Sequence, residues 1–559
     1  MPPSAPCPKP GRARPEPGRT KQDSGPDRVQ QPFDAVIVGA GSAGCALAAR
    51  LAEDPRRRIL LIEAGARDTH PAIHIPAGIV RLIGNPRFDW AHIAEPDPSR
   101  GGRIDLWPAG KVLGGSSSIN GMLFVRGAAA DFDGWAAAGN PGWSHADLLP
   151  LFRRMERTGF GTDGQRGRNG PVHVEPLRTR HPIGMAIEQA CAEAGLPLNP
   201  DYNGAEQDGA GAPQVSQHRG RRWSAARAYL ARRPRNLELW THARVRRILL
   251  EGRRATGLLV QHRGAERTLS AREIILAAGT LGSPKLLMLS GIGPAAELQA
   301  HGVPVRLAQP MVGRNLAEHP MASLSWTVRG RTYNQLIHSP RLPLLLLDWL
   351  VRGRGAATSP YPHAVAFLRS GPAASHPDIQ LMMGPFAFDV SSAGVQPFRG
   401  PAITVIAALN YPRGRGSLHL RSADPDAPPV IRHALLGHPD DVARLTAAAR
   451  RVRAIMAMPA LASHVVAERL PGPHCQSDAD WEAHLRATTI LGNHPIGTCA
   501  MGPEGVVDHR LRVRGIAGLR IADASIMPAP ISGNTNAASI MIGEKTADLV
   551  RADWADQGA

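Results

Sequence analysis

Three glycines near the amino terminus have the spacing of a phosphate-binding turn. Gly39, Gly41 and Gly44 form a G-x-G-x-x-G sequence between an apolar run and a run with helical character. In such a turn the first glycine allows the bend, the second lets the backbone approach a pyrophosphate, and the third permits close helix–strand packing. Glu63 follows Gly44 by 19 residues, where a carboxylate can accept both hydroxyls of a ribose. The pattern predicts a dinucleotide site, and the carboxylate disfavours a ligand with a 2′-phosphate.

Short apolar runs predict the elements that hold this turn. Residues 34–38 and 58–63 are typical of buried strands, and the segment after Gly44 is typical of a helix, which together predict a βαβ unit. Residues 273–277 and 519–522 predict further buried strands, and residues 244–261 predict a hairpin. Because strands of this kind lie at both ends of the chain, we expect two domains that are interleaved in sequence.

Composition excludes several classes of function. The chain carries 65 Lys and Arg against 47 Asp and Glu, a net charge of +18, but the arginines are scattered. The sequence shows neither a zinc-ligand cluster nor a basic stretch interleaved with aromatics, so we expect no metal and no nucleic-acid partner. Five widely spaced cysteines without a C-x-x-C motif predict no disulfide framework and favour a reducing compartment, the cytoplasm.

Two segments bear on location. Residues 1–31 are rich in Pro, Arg, Gly and Ser and lack a secretory h-region, so they predict a disordered tail. The sequence contains no run of 18 apolar residues that would span a membrane. The most apolar piece, residues 342–351, predicts a buried helix, with peripheral membrane contact as the alternative.

Longer segments carry a family resemblance. Residues 110–127 (GKVLGGSSSINGMLFVRG) and 279–293 (GTLGSPKLLMLSGIG) resemble the two signature segments of the glucose–methanol–choline (GMC) oxidoreductases. Blocks at residues 223–230, 312–320, 494–502 and 519–545 are also similar to the family. The resemblance covers about residues 33–552 and implies a mixed α/β fold. In that fold a Rossmann-like FAD-binding domain (residues 33–145, 226–320 and 490–552) is interleaved with an antiparallel-sheet substrate domain (residues 146–225 and 321–489).

The resemblance implies FAD as the cofactor and suggests which residues hold it. Backbone N–H groups at Gly114 and Gly115 can reach a phosphate or the flavin rim, and Val245 would hold the adenine through its backbone. A helical pattern starts near Asn536 and runs to about residue 550, and its amino terminus would stabilise an anionic reduced flavin. The complete predicted set is Gly39, Gly41, Ser42, Ala43, Gly44, Glu63, Ala64, Val112, Gly114, Gly115, Ser116, Asn120, Gly121, Met122, Leu123, Val245, Asp523, Ala524, Asn534, Thr535 and Asn536.

The resemblance also selects a catalytic pair. His494 opens the sequence HPIGTCAMG, which is similar to the family's active-site block, and so it is predicted to be the proton acceptor. Imidazole suits this role because its pKa lies near working pH. Asn534 matches the second catalytic position, which holds His or Asn among relatives; an amide can orient the substrate oxygen but cannot take its proton.

Departures from the family pattern refine the prediction. Ile119 stands where relatives with covalent FAD carry a histidine, so we expect non-covalent FAD. Asn493 replaces an aromatic residue found in many relatives, and Gly492 is small enough to leave the flavin accessible. His363 is interpreted as aligning with a Glu of choline-type members, which argues against choline. The predicted substrate is therefore a primary aliphatic or aromatic alcohol, oxidised to its aldehyde, with choline as the alternative.

The electron acceptor and the reaction type stay open at this point. Family members use oxygen, quinones or electron-transfer proteins, and the bacterial-looking composition without a secretion signal favours a dehydrogenase. A non-redox lyase on the same scaffold is a further alternative. A light-driven decarboxylase is disfavoured because Asn410 stands near that group's cysteine, and a non-enzymatic flavoprotein because both His494 and Asn534 are present.

Overall fold

The computed structural model describes residues 32–337, 339–391 and 394–556. The predicted tail of residues 1–31 therefore lies outside the described residues. The main strands in chain order are β1 (Phe33–Val38), β2 (Ile59–Ile62), β3 (Gly209–Gly211), β4 (Leu237–Trp240), β5 (Ala243–Glu251), β6 (Arg254–His262), β7 (Ala265–Leu276), β8 (Pro320–Val328), β9 (Ala364–Leu368), β10 (Ile379–Gly384), β11 (Ala402–Leu409), β12 (Val465–Leu470), β13 (Ile490–Leu491) and β14 (Leu519–Ile521).

Eleven α-helices of six or more residues lie in the described part of the chain. They are α1 (Ser42–Leu51), α2 (Ala129–Ala137), α3 (His145–Met155), α4 (Pro182–Glu193), α5 (Ala225–Leu230), α6 (Gly279–Leu289), α7 (Ala295–Ala300), α8 (Leu342–Arg352), α9 (Pro439–Met456), α10 (Asp478–Thr488) and α11 (Asn536–Asp556). Among the described residues, no helix is long and apolar enough to cross a membrane.

The first sheet holds the predicted βαβ unit. Its strand order is β4-β2-β1-β7-β6-β5, with β14 also paired to β7. Around β1 the pairing is parallel, with Ala35 opposite Ile59 on β2 and Val38 opposite Leu276 on β7. Where these strands pair, residues 35–38, 59–62 and 274–276 are all apolar, as expected for a parallel sheet that helices cover on both faces. The predicted strands at residues 34–38, 58–63, 273–277 and 519–522 and the hairpin at 244–261 are confirmed.

The second sheet is antiparallel throughout. Its order is β12-β8-β11-β10-β9-β3, and β13 pairs with β8 at Pro320–Met321. Helices α4, α9 and α10 pack against one face of this sheet and form a core separate from that of the first sheet. The predicted fold class, a Rossmann-like α/β unit with an antiparallel-sheet unit, is confirmed.

The helix predicted at residues 342–351 is present, but it is not buried as predicted. Residues 342–351 do form a helix, α8, but Trp349 is its only buried residue, and five of its apolar side chains are exposed. The prediction of a buried helix is therefore wrong. An apolar run shows which side chains water disfavours, but it does not supply the element that would cover them.

Candidate active site

The glycine turn lies between β1 and α1, as the sequence predicts. Gly39 has φ of +106°, and a Cβ there would lie 2.3 Å from the Ala277 carbonyl oxygen. Gly44 lies directly under the turn, where a Cβ would be 1.9 Å from the Gly39 carbonyl oxygen. Gly41 has no atom within 4 Å of its Cβ position, so its backbone is open to a ligand. Helix α1 begins at Ser42, directly beyond Gly41, and its amino terminus favours negative charge.

Glu63 is held at the carboxyl end of β2 by the backbone around it. One carboxylate oxygen accepts from the Ala40 N–H at 3.0 Å, and the other accepts from the Gly65 N–H at 2.8 Å. Burial raises the pKa of Glu63 to about 7, although these hydrogen bonds oppose the shift. The remaining lone pairs face the cavity, where ribose hydroxyls can donate to them.

A single cavity of about 540 Å³ joins this turn to the predicted catalytic pair. Most of the predicted site residues line it. They are Gly39, Gly41, Ser42, Ala43, Glu63, Ala64, Gly115, Ser116, Asn120, Gly121, Met122, Leu123, Val245, His494, Asp523, Ala524, Asn534, Thr535 and Asn536.

Three predicted cofactor residues do not line the cavity. Gly44 packs beneath the turn, and Val112 is fully buried in a bridge with Ala66. Gly114 has φ of +91°, and its N–H donates to the Ala40 carbonyl at 2.8 Å. These residues shape the turn instead of facing a ligand, and the sequence pattern does not separate the two roles.

A second cleft, of about 650 Å³, lies at the β4 edge of the first sheet. Its lining is dominated by arginines, and it contains none of the residues predicted for the site. The cavity that reaches His494 is therefore the candidate active site.

Two helix amino termini converge on the cavity. Helix α11 begins at Asn536 and α1 at Ser42, and the Ser42 hydroxyl donates to the Asn536 side-chain oxygen at 2.7 Å. Each terminus carries partial positive charge. The arrangement suits a ligand that is anionic at its phosphates and at its redox-active ring.

His494 and Asn534 are in direct contact at the far end of the cavity. The Asn534 Nδ2 lies 2.8 Å from His494 Nε2. Gln380 on β10 donates to the Asn534 Oδ1 at 3.2 Å, which orients the amide nitrogen toward the imidazole. An amide N–H that donates to Nε2 requires a lone pair on that nitrogen, which is the form a general base needs.

A second histidine supports the same tautomer. His319 Nδ1 lies 3.1 Å from His494 Nδ1; burial lowers the pKa of His319, and a hydrogen bond with the Asn410 backbone opposes this shift. A backbone bond that favours the protonated ring is one to a carbonyl, so the other nitrogen of His319 carries its proton. His319 Nδ1 is then an acceptor for the His494 Nδ1 proton, and the lone pair of His494 stays on Nε2.

Both imidazoles are neutral at neutral pH. Burial lowers the pKa of His494 well below its usual value, and repulsion from His319 adds to the effect. Burial likewise lowers the pKa of His319 to about 4. A neutral base at the end of an apolar cavity can take a proton without first losing one.

The loop that carries His494 is held by Glu318. Both carboxylate oxygens accept from the His494 N–H, at 2.9 and 3.0 Å, and one also accepts from the His319 N–H at 2.8 Å. Asn493 has φ of +59°, a left-handed conformation that asparagine tolerates better than most residues. Burial raises the pKa of Glu318 to about 8 against the effect of these bonds.

Three further residues hold this site together, and none of them was predicted from the sequence. Glu318 and His319 lie in the block 312–320 that resembles the family, but no role was assigned to them. An acidic residue next to a histidine inside a matched block is the signal that could have found them. Gln380 lies on a strand with no matched block, and the sequence offers no sign of its contact with Asn534.

The structure places His363 outside the cavity. Its ring accepts from the His181 N–H at 3.3 Å and lies 5.1 Å from the Tyr333 ring, and it does not line the cavity. His363 directly precedes β9, where successive side chains point to opposite faces, so a shift of one position reverses the assignment. Met321, at the second position of β8, does line the cavity.

A nucleotide-binding turn joined by one cavity to a neutral histidine and an amide defines a flavin-dependent oxidoreductase. The GMC oxidoreductase family model matches residues 33–321 with its amino-terminal part and residues 412–543 with its carboxyl-terminal part. The chain belongs to the glucose–methanol–choline oxidoreductase family. It is an FAD-dependent enzyme that acts on CH–OH groups, and the predicted family, enzyme class and cofactor are confirmed.

Individual relatives cover nearly the whole chain. The oxygen-dependent choline dehydrogenase of Sinorhizobium fredii is 41% identical over 542 residues, which is 92% of this chain and 95% of that protein. The solved structure of pyridoxine 4-oxidase from Mesorbium loti is 34% identical with a TM-score of 0.85, covering 92% of this chain and 98% of that one. A formate oxidase structure is 27% identical with a TM-score of 0.87, covering 94% and 99%.

The residues of the cavity fit FAD. A Cβ at Gly115 would lie 2.7 Å from the Gly41 Cα, so the loop of residues 110–127 and the glycine turn after β1 meet with room for backbone only. This close approach leaves N–H groups of both loops beside a helix amino terminus, which suits a diphosphate. Glu63 suits the ribose at one end, and Asn534 and His494 are at the other.

Proposed function

We propose that the protein oxidises an uncharged primary alcohol, aliphatic or aromatic, to the aldehyde, with His494 as the catalytic base. The observation that carries this proposal is the neutral imidazole whose Nε2 lone pair faces the cavity beside the Asn534 amide. When bound, FAD supplies the acceptor for the hydride of the carbinol carbon.

In this mechanism the alcohol takes the place that Asn534 has in the free site. The hydroxyl donates its proton to His494 Nε2, and the Asn534 amide donates to the alcohol oxygen. His319 accepts the bond from His494 Nδ1 and so keeps the lone pair on Nε2. Proton removal raises the electron density on oxygen, which promotes departure of the hydride.

The lining around His494 supports an uncharged substrate. Among the described residues of the cavity wall, the carboxylates are Glu63 and Asp523, both at the cofactor end. Near His494 the wall is Met321, Met382 and Ile406, together with Tyr361, whose hydroxyl hydrogen-bonds to the Met382 and Thr404 carbonyls. A quaternary ammonium requires several aromatic faces or a carboxylate, and this wall offers one aromatic ring.

Choline is the second candidate. It is favoured by the relative from Sinorhizobium fredii, an oxygen-dependent choline dehydrogenase that is 41% identical. The cofactor is proposed to be non-covalent, because the cavity wall carries Ile119 where a linkage would need a nucleophile. The electron acceptor is proposed to be oxygen, a quinone or an electron-transfer protein, and the experiment below separates oxygen from the others.

The test is anaerobic mixing of the purified holoenzyme with a panel of alcohols and with choline, while flavin absorbance is followed. We expect bleaching with aliphatic or benzylic alcohols and none with choline; readmitted air restores the colour if oxygen is the acceptor. Bleaching by choline alone would support the second candidate, and turnover of a substrate without bleaching would indicate a lyase.

The base is tested with His494→Ala. This variant should retain FAD and reduce it about 10²- to 10⁴-fold more slowly, the usual range for loss of a general base. His509→Ala, at an exposed histidine, is the matched control and should reduce flavin at the wild-type rate. A His494→Ala enzyme with the wild-type rate would refute the assignment.

A further inference from the structure

Helix α8 presents an apolar face to solvent. At 100° per residue, its exposed apolar positions span an arc of about 160° on the helical wheel. Their exposure runs from 38% at Leu346 to 73% at Val351. Surface helices of globular proteins normally direct the apolar stripe inward and the polar face outward. Here every residue of the outward arc is apolar: Pro343, Leu344, Leu346, Leu347, Leu350 and Val351.

The inward face keeps this orientation fixed. Trp349 is 8% exposed, and its Nε1–H donates to the Gly220 carbonyl at 2.7 Å. The Arg221 guanidinium lies over the same ring, 5.2 Å from its centroid. Rotating the helix to bury its leucines would break both contacts, so the leucines face outward in the folded protein.

The exposed surface continues onto a neighbouring segment. The 3₁₀ turn Pro76–Arg81 contacts the turn Ala356–Thr358, which follows α8, and Val80 and Ile83 are exposed beside it. We call this surface the apolar patch; its members are Val80, Ile83, Leu344, Leu346, Leu347, Leu350 and Val351. Contiguous apolar surface of this kind marks an interaction site more often than chance exposure does.

Basic side chains surround α8. Arg341 directly precedes the helix, Arg352 ends it and Arg354 follows, and all three are exposed. Arg178 donates to the Gly353 carbonyl at 3.0 Å, beside the end of the helix. The acidic residue of the helix, Asp348, pairs with Arg352 at 3.3 Å. An apolar face with a basic rim is complementary to an anionic lipid surface.

We propose that the apolar patch docks this enzyme on a bilayer that contains anionic lipids. Helix α8 would lie in the plane of the interface, with its leucines at the boundary of headgroups and acyl chains and its arginines among the phosphates. An 11-residue helix is about 16 Å long and too short to span, so the contact is peripheral.

A second copy of the chain is the weaker occupant. Two-fold pairing through the patch would bring the same arginines of both copies together, and the chain carries a net charge of +18. A stable dimer also buries about 800 Å² on each partner, more than seven partly exposed side chains offer. Charge and area therefore both favour the bilayer.

Docking would bring the cavity close to lipid. Ile83 belongs to the apolar patch and also lines the cavity. The cavity is lined too by Pro360, Tyr361 and Pro362, which are not members of the patch but follow the turn after α8. A lipid-dissolved alcohol or electron acceptor could then reach the site without crossing water. Only this delivery step depends on the proposed function; docking itself is tested without turnover.

The experiment is co-sedimentation of the holoenzyme with phosphatidylcholine vesicles that contain 30% phosphatidylglycerol. We expect binding to these vesicles and weaker binding to pure phosphatidylcholine. The variant L344N/L347N/L350N should bind more than tenfold more weakly and keep the wild-type rate of flavin reduction by a water-soluble alcohol. The matched control M185N/L198N/V466N, at exposed apolar positions elsewhere, should bind vesicles like the wild type.

The basic rim is tested separately with R341Q/R354Q. Each lost arginine should weaken binding to the anionic vesicles about fivefold, because one positive charge near such a surface contributes about 1 kcal/mol to binding. Unchanged vesicle binding by the leucine variant would overturn the proposal. So would a wild-type dimer in solution that the leucine variant converts to monomer, because the patch would then be a self-interface.

Discussion

At the scale of single residues, the position of one proton in the histidine pair decides whether the site works. His494 acts as a base only if its Nε2 carries no proton. Two neighbouring side chains, one on each side of the ring, favour this tautomer. Asn534 requires a lone pair on Nε2, and His319 requires a proton on Nδ1. His319 is thus a positioning residue, since its effect on the substrate passes through His494.

Substitution of His319 should reveal this role. In His319→Leu the acceptor for the His494 Nδ1 proton is gone, so the proton can move to Nε2; we expect flavin reduction about 10²-fold slower or worse. His319→Asn retains an acceptor oxygen close to the position of Nδ1 and should recover most of the rate. Stopped-flow measurement of the flavin reduction rate in the two variants separates control of the tautomer from loss of packing. If only packing mattered, the Asn variant would not be faster than the Leu variant.

The pH profile gives a second readout of the same pair. His494 must be neutral to act, and its pKa is well below 6.5, so the reduction rate should be flat at neutral pH and fall only in acid. Repulsion from His319 contributes to that low pKa, so both His319 variants should lose activity at a higher pH than the wild type. An acidic limb at the same pH in all three enzymes would contradict this account.

At the scale of elements, the packing of α1 on α11 sets the geometry of the cofactor site. Gly543 lies in α11, where a Cβ would be 2.3 Å from the Ala43 carbonyl oxygen of α1. This contact holds the amino termini of both helices on the cavity. We expect Gly543→Ala to push them apart, to lower the free energy of unfolding by about 1–3 kcal/mol, and to weaken FAD retention.

Gly134 provides the matched control. It lies inside α2, and its Cβ position has no atom within 4 Å. Gly134→Ala should therefore stabilise the protein by about 0.5–1 kcal/mol, because alanine restricts the unfolded chain more than glycine does. Denaturant unfolding with flavin release as a second signal measures both variants, and equal stability of Gly543→Ala and the wild type would count against close packing here.

Local pattern explains which elements the sequence could predict. The strands before Gly39 and Glu63 are short apolar runs, and the glycine turn lies between them. Both strands and the turn belong to one βαβ unit, so local sequence is enough to predict them. The outward face of α8 could not be predicted, since hydrophobicity does not say which element covers a helix. The place of His363 outside the cavity could not be predicted either, because a one-residue shift in a strand exchanges the two faces of the sheet.

Long-range contacts explain what was missing at the site. His319 and His494 are 175 residues apart, and Gln380 reaches Asn534 across 154 residues. No spacing rule relates such positions in one sequence. The family resemblance supplied His494 and Asn534, but the partners that set the tautomer and orient the amide became visible only in three dimensions.

At the scale of the whole molecule, the site lies where the two sheets meet. His319 directly precedes β8, and His494 follows β13, which pairs with β8, so both histidines lie at one end of these strands of the antiparallel sheet. The glycine turn and Glu63 follow strands of the parallel sheet, and Asn534 lies two residues before α11, which packs on α1. A ligand that fills the cavity contacts both units and should therefore stabilise the molecule as a whole.

Thermal denaturation of the protein with and without ligands tests this coupling. FAD at 100 times its Kd should add about 2.7 kcal/mol of stability and raise the Tm, with a further rise at higher concentration. FMN lacks the adenosine half that Glu63 and Val245 are placed to hold, so it should raise the Tm less at equal concentration. ADP should give a partial increase that Glu63→Gln reduces, because one of the two ribose-facing acceptors is lost. Equal stabilisation by FMN and FAD would show that the adenosine end contributes nothing, and the role of Glu63 would then be confined to holding the turn through Ala40 and Gly65.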